Sequence, residues 1–179
     1  DCLDVASALA DNMPSVQNLI VFPYLDAPVD TSNVGAKAIS WDAFTTDHAP
    51  TTLTFEPMPF DAPLFIMFSS GTTGLPKCIV HSVGGTLLQH LKEHQLQADV
   101  QPNDRLFYFT TCGWMMWNWL VTGLASGATL ILFDGSPFFP DGNRLADIAQ
   151  AEDVTQFGTS AKYIDACAKA DIKPNAKYA

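Results

Sequence analysis

From residue 64 onward, short apolar runs alternate with stretches that carry an apolar stripe. The run Leu64-Phe65-Ile66-Met67-Phe68 reads as a buried strand, and 78–80 as a short second one. Ser82 is placed to cap a helix that carries Leu87, Leu88 and Leu91. Pro102-Asn103-Asp104 makes a turn into a strand at 106–109. A helix over 114–125, a stop at Gly127 and a buried strand at 128–133 follow. Asp141 or Asn143 starts a helix with Leu145, Ile148 and Ala149, then a strand at 154–157 and a helix at 161–168. Strands alternating with helices predict an α/β fold with a mostly parallel sheet and helices on both faces. In such folds ligands sit beyond the carboxyl ends of the strands.

The region before residue 64 is less regular. A short helix carrying Val5, Ala8 and Leu9 on one face precedes a strand at 19–22. Residues 26–63 are proline-rich and predict an irregular excursion, with Trp41 and Phe44 pinning it to the body. The expected organisation is a segment 1–63 belonging to the same domain as an α/β core over 64–179. No internal repeat is visible.

Bulk properties narrow the function classes. Hydrophobic residues make up 47% and charged residues 16% of the 179 positions, the balance of a globular chain. The formal net charge is −10, with nine Lys and Arg against nineteen Asp and Glu. Nucleic-acid binding needs a basic footprint, so no nucleic-acid partner is expected. The cysteines, Cys2, Cys78, Cys112 and Cys167, are widely spaced and contain no C-x-x-C. That suits reduced thiols in the cytoplasm. The uncharged stretch 114–133 is long enough to cross a bilayer, but its polar residues and the central Gly123 and Gly127 favour a helix and a strand in a core. The chain does not open with Met, and its last residues close no domain, so it reads as a piece of a longer protein, incomplete at the C-terminal end.

The candidate chemistry concentrates after the 64–68 strand, in Ser69-Ser70-Gly71-Thr72-Thr73-Gly74-Leu75-Pro76-Lys77-Cys78. Two glycines let successive N–H groups point into one concavity. The hydroxyls add rotatable donors, and Lys77 adds a cation. This is the chemistry of a phosphate grip. It is not the G-x-x-x-x-G-K-[ST] loop, because Pro76 occupies the second glycine slot and Cys78 follows the lysine.

The order S-S-G-T-T-G-L-P-K resembles the nucleotide loop of the adenylate-forming enzymes, the family of acyl-CoA synthetases, peptide-synthetase adenylation domains and luciferases. Cys78, the run Gly113-Trp114-Met115-Met116-Trp117-Asn118-Trp119, and Gln89-His90-Leu91-Lys92-Glu93-His94 resemble its acetoacetate-activating branch. The resemblance implies part of the large N-terminal domain of an enzyme that uses ATP with Mg²⁺ to make an acyl-adenylate and passes the acyl group to CoA. Ser69, Ser70, Gly71, Thr72, Thr73 and Gly74 would hold the β- and γ-phosphates, and Lys77 would be the catalytic cation. Trp114, Met115 and Met116 would wall a small acyl pocket, whereas Trp117 and Trp119 read as core. His81 and Thr159 are candidate rim positions, and Gly135 and Ser136 would lie near CoA; Thr159 and Ser160 read equally as a helix cap. The family's later Gly-Glu-Pro and Thr-Gly-Asp segments and its C-terminal lysine do not follow Thr159. The 179 residues alone are therefore expected to be inactive. An acetate- or propionate-activating enzyme and a non-catalytic nucleotide-binding piece remain alternatives. The H-x-x-E-H spacing of His90, Glu93 and His94 gives a third, a zinc hydrolase. The expected sites include no resident metal, and the oligomeric state is left open.

Overall fold

The computed structural model describes residues 3–24, 30–35, 37–46, 51–69 and 74–178. It divides into two compact units, Asp1–Glu56 and Pro57–Ala179.

In the first unit, helix α1 (Leu3–Asp11) leads to strand β1 (Leu19–Val21), which pairs in parallel with β2 (Ala38–Ser40). A short helix, α2 (Trp41–Thr45), starts at once, its first turn capped by Ser40 Oγ accepting from the Ala43 N–H at 3.2 Å. Neither β2 nor α2 is expected from the sequence, because three- and five-residue elements carry no readable period. The α1 face also differs from expectation. Ala10 is its buried residue, and Val5 and Leu9 are exposed. Trp41, expected as an anchor, is half-exposed.

The second unit holds the predicted alternation. Strands β3 (Pro63–Ser69) and β4 (Lys77–Ser82) form an antiparallel ribbon around the glycine-rich segment. Parallel neighbours need a crossover of about a dozen residues or more. The few residues between Ser69 and Lys77 allow only a hairpin. Helix α3 (Val83–Lys92) follows, with Ser82 Oγ accepting from the Gly85 N–H at 3.2 Å as predicted. It continues into a π-helical turn, Glu93–Gln97.

Strands β5 (Arg105–Tyr108), β6 (Thr129–Ile131) and β7 (Gln156–Gly158) make a parallel sheet in the order β6-β5-β7. Alternation along β5 separates two cores. Leu106 and Tyr108 face Leu120, Trp117 and Trp119 of helix α4 (Met115–Thr122), together with Val100 and Ala128. Phe107 and Phe109 face the other way, toward Ile131, Phe133, Leu145 and Ile148 of helix α5 (Arg144–Ala151), and Tyr163 of helix α6 (Ala161–Lys169). The sheet is thus sandwiched by helices, and three of the four strand pairs among the described residues are parallel. Trp117 and Trp119 are core residues, as read from the sequence.

The uncharged stretch resolves as predicted. After α4 comes a 3₁₀ turn, Gly123–Ser126, and then Gly127 with φ of +79°, a left-handed stop that glycine adopts without a Cβ penalty. Among the described residues no helix is long and apolar enough to cross a membrane. Ser160 caps α6 by accepting from the Tyr163 N–H at 3.2 Å. No disulfide joins the described cysteines Cys78, Cys112 and Cys167.

Candidate functional site

The ribbon β3–β4 and the start of α4 enclose a concavity of about 880 Å³. On one face of the ribbon Phe65 stands opposite His81, Met67 opposite Ile79, and Ser69 opposite Lys77. Phe65, Met67 and Ser69 are the partly shielded positions of β3, while Ile66 and Phe68 on the other face are 62% and 67% exposed. The Asn118 side-chain N–H of α4 reaches Met67 Sδ at 3.4 Å and ties the two walls together.

Four residues singled out from the sequence line this concavity: Ser69, His81, Trp114 and Met115. Lys77 lies beside it, opposite Ser69 at the base of the hairpin loop. Lys77 is exposed, and among the described residues it has no ion-pair partner. Gly74 sits in the loop with φ of +145°, a backbone state that L side chains rarely adopt. Ser70, Gly71, Thr72 and Thr73 lie outside the described residues. Met116 is half-buried on α4 and does not line the concavity.

The remaining predicted positions lie at the carboxyl ends of the parallel strands, where ligands of such sheets bind. Gly135 follows β6 and lines a second concavity of about 420 Å³, with Tyr108, Thr110, Thr111 and Asp134. Ser136, next in the chain, accepts from the Phe138 N–H at 3.4 Å. Thr159 follows β7; its hydroxyl is buried without a partner among the described residues, and its carbonyl lies 3.5 Å from the Tyr108 hydroxyl. It lines a third, largely apolar groove rather than either concavity named above.

Sequence reasoning missed Cys112, which lines both of the first two concavities, and Asn118 and Met67, which link their walls. Asn118 carried a usable signal as the one amide among the tryptophans of 114–119. Cys112 and Met67 carried none, because their role depends on how the ribbon meets α4.

The described residues that line the larger concavity include no carboxylate, although the chain carries a formal charge of −10. An anion entering it meets hydroxyl, imidazole, amide and thiol groups, with Lys77 at the edge. The H-x-x-E-H residues do something else. His90 Nδ1 lies 2.9 Å from Thr122 Oγ1, and His94 Nε2 lies 2.8 Å from the Trp119 carbonyl. Burial holds both imidazoles below their ordinary pKa, with His94 and His81 adding to the effect at His90. Among the described residues no three His, Cys, Asp or Glu side chains converge on a metal position. One nitrogen of each ring is thus hydrogen-bonded to α4.

The model of the family described as "AMP-binding enzyme" matches residues 4–179. The chain belongs to the AMP-binding enzyme family. An acetoacetyl-coenzyme A synthetase of Rhizobium meliloti (strain 1021) is 68% identical over 122 residues, which are 68% of this chain and 19% of that protein. The malonamoyl-CoA synthetase vrtB of Penicillium aethiopicum is 50% identical over 139 residues, 72% of this chain and 19% of that protein. The solved acetoacetyl-CoA synthetase from Streptomyces lividans superposes with a TM-score of 0.85 at 42% identity, covering 99% of this chain and 26% of that one. The chain therefore spans about a quarter or less of the proteins it matches.

Proposed function

We propose that this chain is part of an ATP-dependent acyl-CoA ligase that activates acetoacetate as acetoacetyl-adenylate and transfers it to CoA. The observation that carries the reading is the shared concavity: the stem of the glycine-rich loop, at Ser69, and the start of α4, at Trp114 and Met115, face one another across it. In this reading a phosphate grip and an apolar wall serve one small substrate.

In this reading the backbone and hydroxyls from Ser69 to Gly74 hold the β- and γ-phosphates, and Mg²⁺ arrives bound to the ATP oxygens. The acid lies against Trp114 and Met115, with Met116 behind them on α4. Its carboxylate oxygen attacks the α-phosphorus, the bond to pyrophosphate breaks, and Lys77 stabilises the charge that develops on the leaving group. The CoA thiol then displaces AMP, approaching from the side of Gly135 and Ser136. His81 stands at the rim of the concavity, and Thr159 lines a separate groove. Both units are taken as one domain, since a single family model spans them. The thiols, widely spaced and unpaired among the described residues, support a cytoplasmic setting.

The relatives' names sharpen the substrate class. Acetoacetate and malonamate each carry a carbonyl on C3, and they differ by a methyl against an isosteric amino group. A short 3-oxo acid is the shared chemistry.

The test is kcat/KM for acetoacetate, acetate, butyrate and octanoate in the full-length enzyme. Acetoacetate should exceed acetate by roughly tenfold to a few hundredfold, since one or two methylene equivalents are worth about 1–3 kcal/mol each. Equal values for acetate and acetoacetate would return the assignment to a general short-chain ligase. A preference for octanoate would remove Trp114 and Met115 from the pocket.

A further inference from the structure

The buried face of α3 is polar where an amphipathic helix would place leucine. Thr86, His90 and His94 recur at every fourth residue and are buried, whereas Leu87 and Leu88 point outward. A buried imidazole is costly unless it is hydrogen-bonded, and both rings bond to α4. The Thr122 hydroxyl donates to the Asn118 carbonyl at 2.7 Å, so it accepts from the Nδ1–H of His90 at 2.9 Å. The Trp119 carbonyl can only accept, so the Nε2–H of His94 donates to it at 2.8 Å. The two neutral rings are therefore opposite tautomers.

The Trp119 carbonyl needs that donor. The helix gives way to the 3₁₀ turn at Gly123, whose N–H bonds the Leu120 and Val121 carbonyls instead. Trp119 is left with one of the orphan carbonyls of a helix end. His94 takes it, with its ring packed on the Trp119 indole at 4.1 Å between centroids. It does so from the π-helical turn, closed by the Ala98 N–H on the Glu93 carbonyl at 2.9 Å, a wide turn of a kind frequent at functional sites.

The same face of α4, nearer its N-terminus, borders the larger concavity through Met115 and Asn118, with Trp114 just before the helix. A continuous path runs from His90 through the Thr122 hydroxyl to the Asn118 carbonyl, and from the Asn118 amide to Met67 on β3. Leucines at 90 and 94 would hold α4 by contacts without direction. Two directed hydrogen bonds fix its rotation and its height.

We propose that His90 and His94 are positioning residues for acyl specificity: by gripping Thr122 and Trp119 they set the distance between the Trp114–Met115 wall and the β3–β4 ribbon. The inference rests on the acyl-wall reading above.

The experiment uses the full-length enzyme and the ratio of kcat/KM for acetoacetate to that for 3-oxohexanoate. In Thr122→Val and in His94→Leu the ratio should fall about tenfold, below the ~100-fold that a 1 Å displacement can cause. The loss should appear in the KM for acetoacetate, with the KM for ATP within about twofold of the parent. His94→Gln places an amide N–H where Nε2–H stood, and should keep the ratio within about threefold of the parent. An unchanged ratio in Thr122→Val, or a His94→Gln as impaired as His94→Leu, overturns the proposal. If His94→Leu does not fold, the near-isosteric Thr122→Val decides alone. Should the unaltered enzyme prefer another acid, the functional reading fails by itself. The same ratio, taken for that acid against its homologue two carbons longer, then tests the positioning role.

Discussion

The two sheets of the second unit carry the candidate site in different ways. The parallel sheet β6-β5-β7 is covered on both faces, and at its centre Leu106 and Phe107 are 2% and 1% exposed. The ribbon β3–β4 is two strands with one shielded face, and Ile66, Phe68 and Val80 on the other face are more than half exposed. The sheet is built to stay in place; a two-stranded ribbon alone has little to hold it. Yet Ser69 and Lys77, proposed to belong to the phosphate grip, sit on the ribbon, and Met115, proposed for the acyl wall, sits on the helix packed against the sheet. The difference separates a proposed wall anchored on a covered sheet from a proposed grip whose position depends on its neighbours, above all the Asn118–Met67 contact.

Deleting the centre of the sheet should produce the largest effect. Phe107 packs with Ile131 and Leu145 and stacks on Phe157 at 5.1 Å between ring centroids. Phe107→Ala should destabilise the protein by about 3–5 kcal/mol, the usual loss for a buried phenylalanine. A melting temperature within a degree or two of the parent would show that the sheet is not the rigid half of the comparison.

Lys77 should behave in the opposite way. It is an exposed residue on the ribbon, so Lys77→Ala should leave the melting temperature unchanged. In the full-length enzyme it should lower kcat for adenylation by about 10²–10³, the typical loss of one group aimed at developing charge. The KM for acetoacetate should stay within about twofold, since the lysine is assigned to the transition state. A rise in that KM with kcat intact would make Lys77 a substrate-binding group.

Much of the fold was legible because local signals agreed. Ser82 caps the helix it was read to cap, Ser160 takes the cap rather than the rim alternative, and Gly127 stops where its missing Cβ allows. The apolar runs at 106–109 and 128–133 contain β5 and β6, and both faces of their sheet are covered. The buried side of α3 was not legible. Apolar periodicity selects Leu87 and Leu88, and nothing local says that His90 and His94 face inward; that choice belongs to the orphan carbonyl of Trp119 and the hydroxyl of Thr122, 25 and 32 residues away. The hairpin could have been read from loop length alone. The partners of the ribbon, Cys112 and Asn118, depend on tertiary register that no single segment encodes.

The smallest effect concerns pH, and it bears on the side of α4 that the histidines grip. His90 and His94 sit below the ordinary imidazole pKa, mainly through burial. The groups that face His90 are His94, His81 and Glu93, and Glu93 faces His94; α4, packed against them, carries no charged residue. In the unfolded chain both rings take up a proton near pH 6.5, and in the folded chain they resist it. The unfolded state therefore binds more protons over that window. Stability should be full above about pH 6.5 and fall as the pH drops toward the lower folded values, by at most about 1.4 kcal/mol per pH unit for each ring. Carboxylates titrate below the same window, so the informative quantity is a difference. His90→Asn and His94→Gln keep a hydrogen-bond donor and remove the titration. Their melting temperatures should fall less than the parent's between pH 7 and pH 5. Parallel curves for parent and variants would mean that the two imidazoles are protonated as readily in the fold as outside it. The neutral tautomers that grip Thr122 and Trp119 would then give way to charged rings near pH 6.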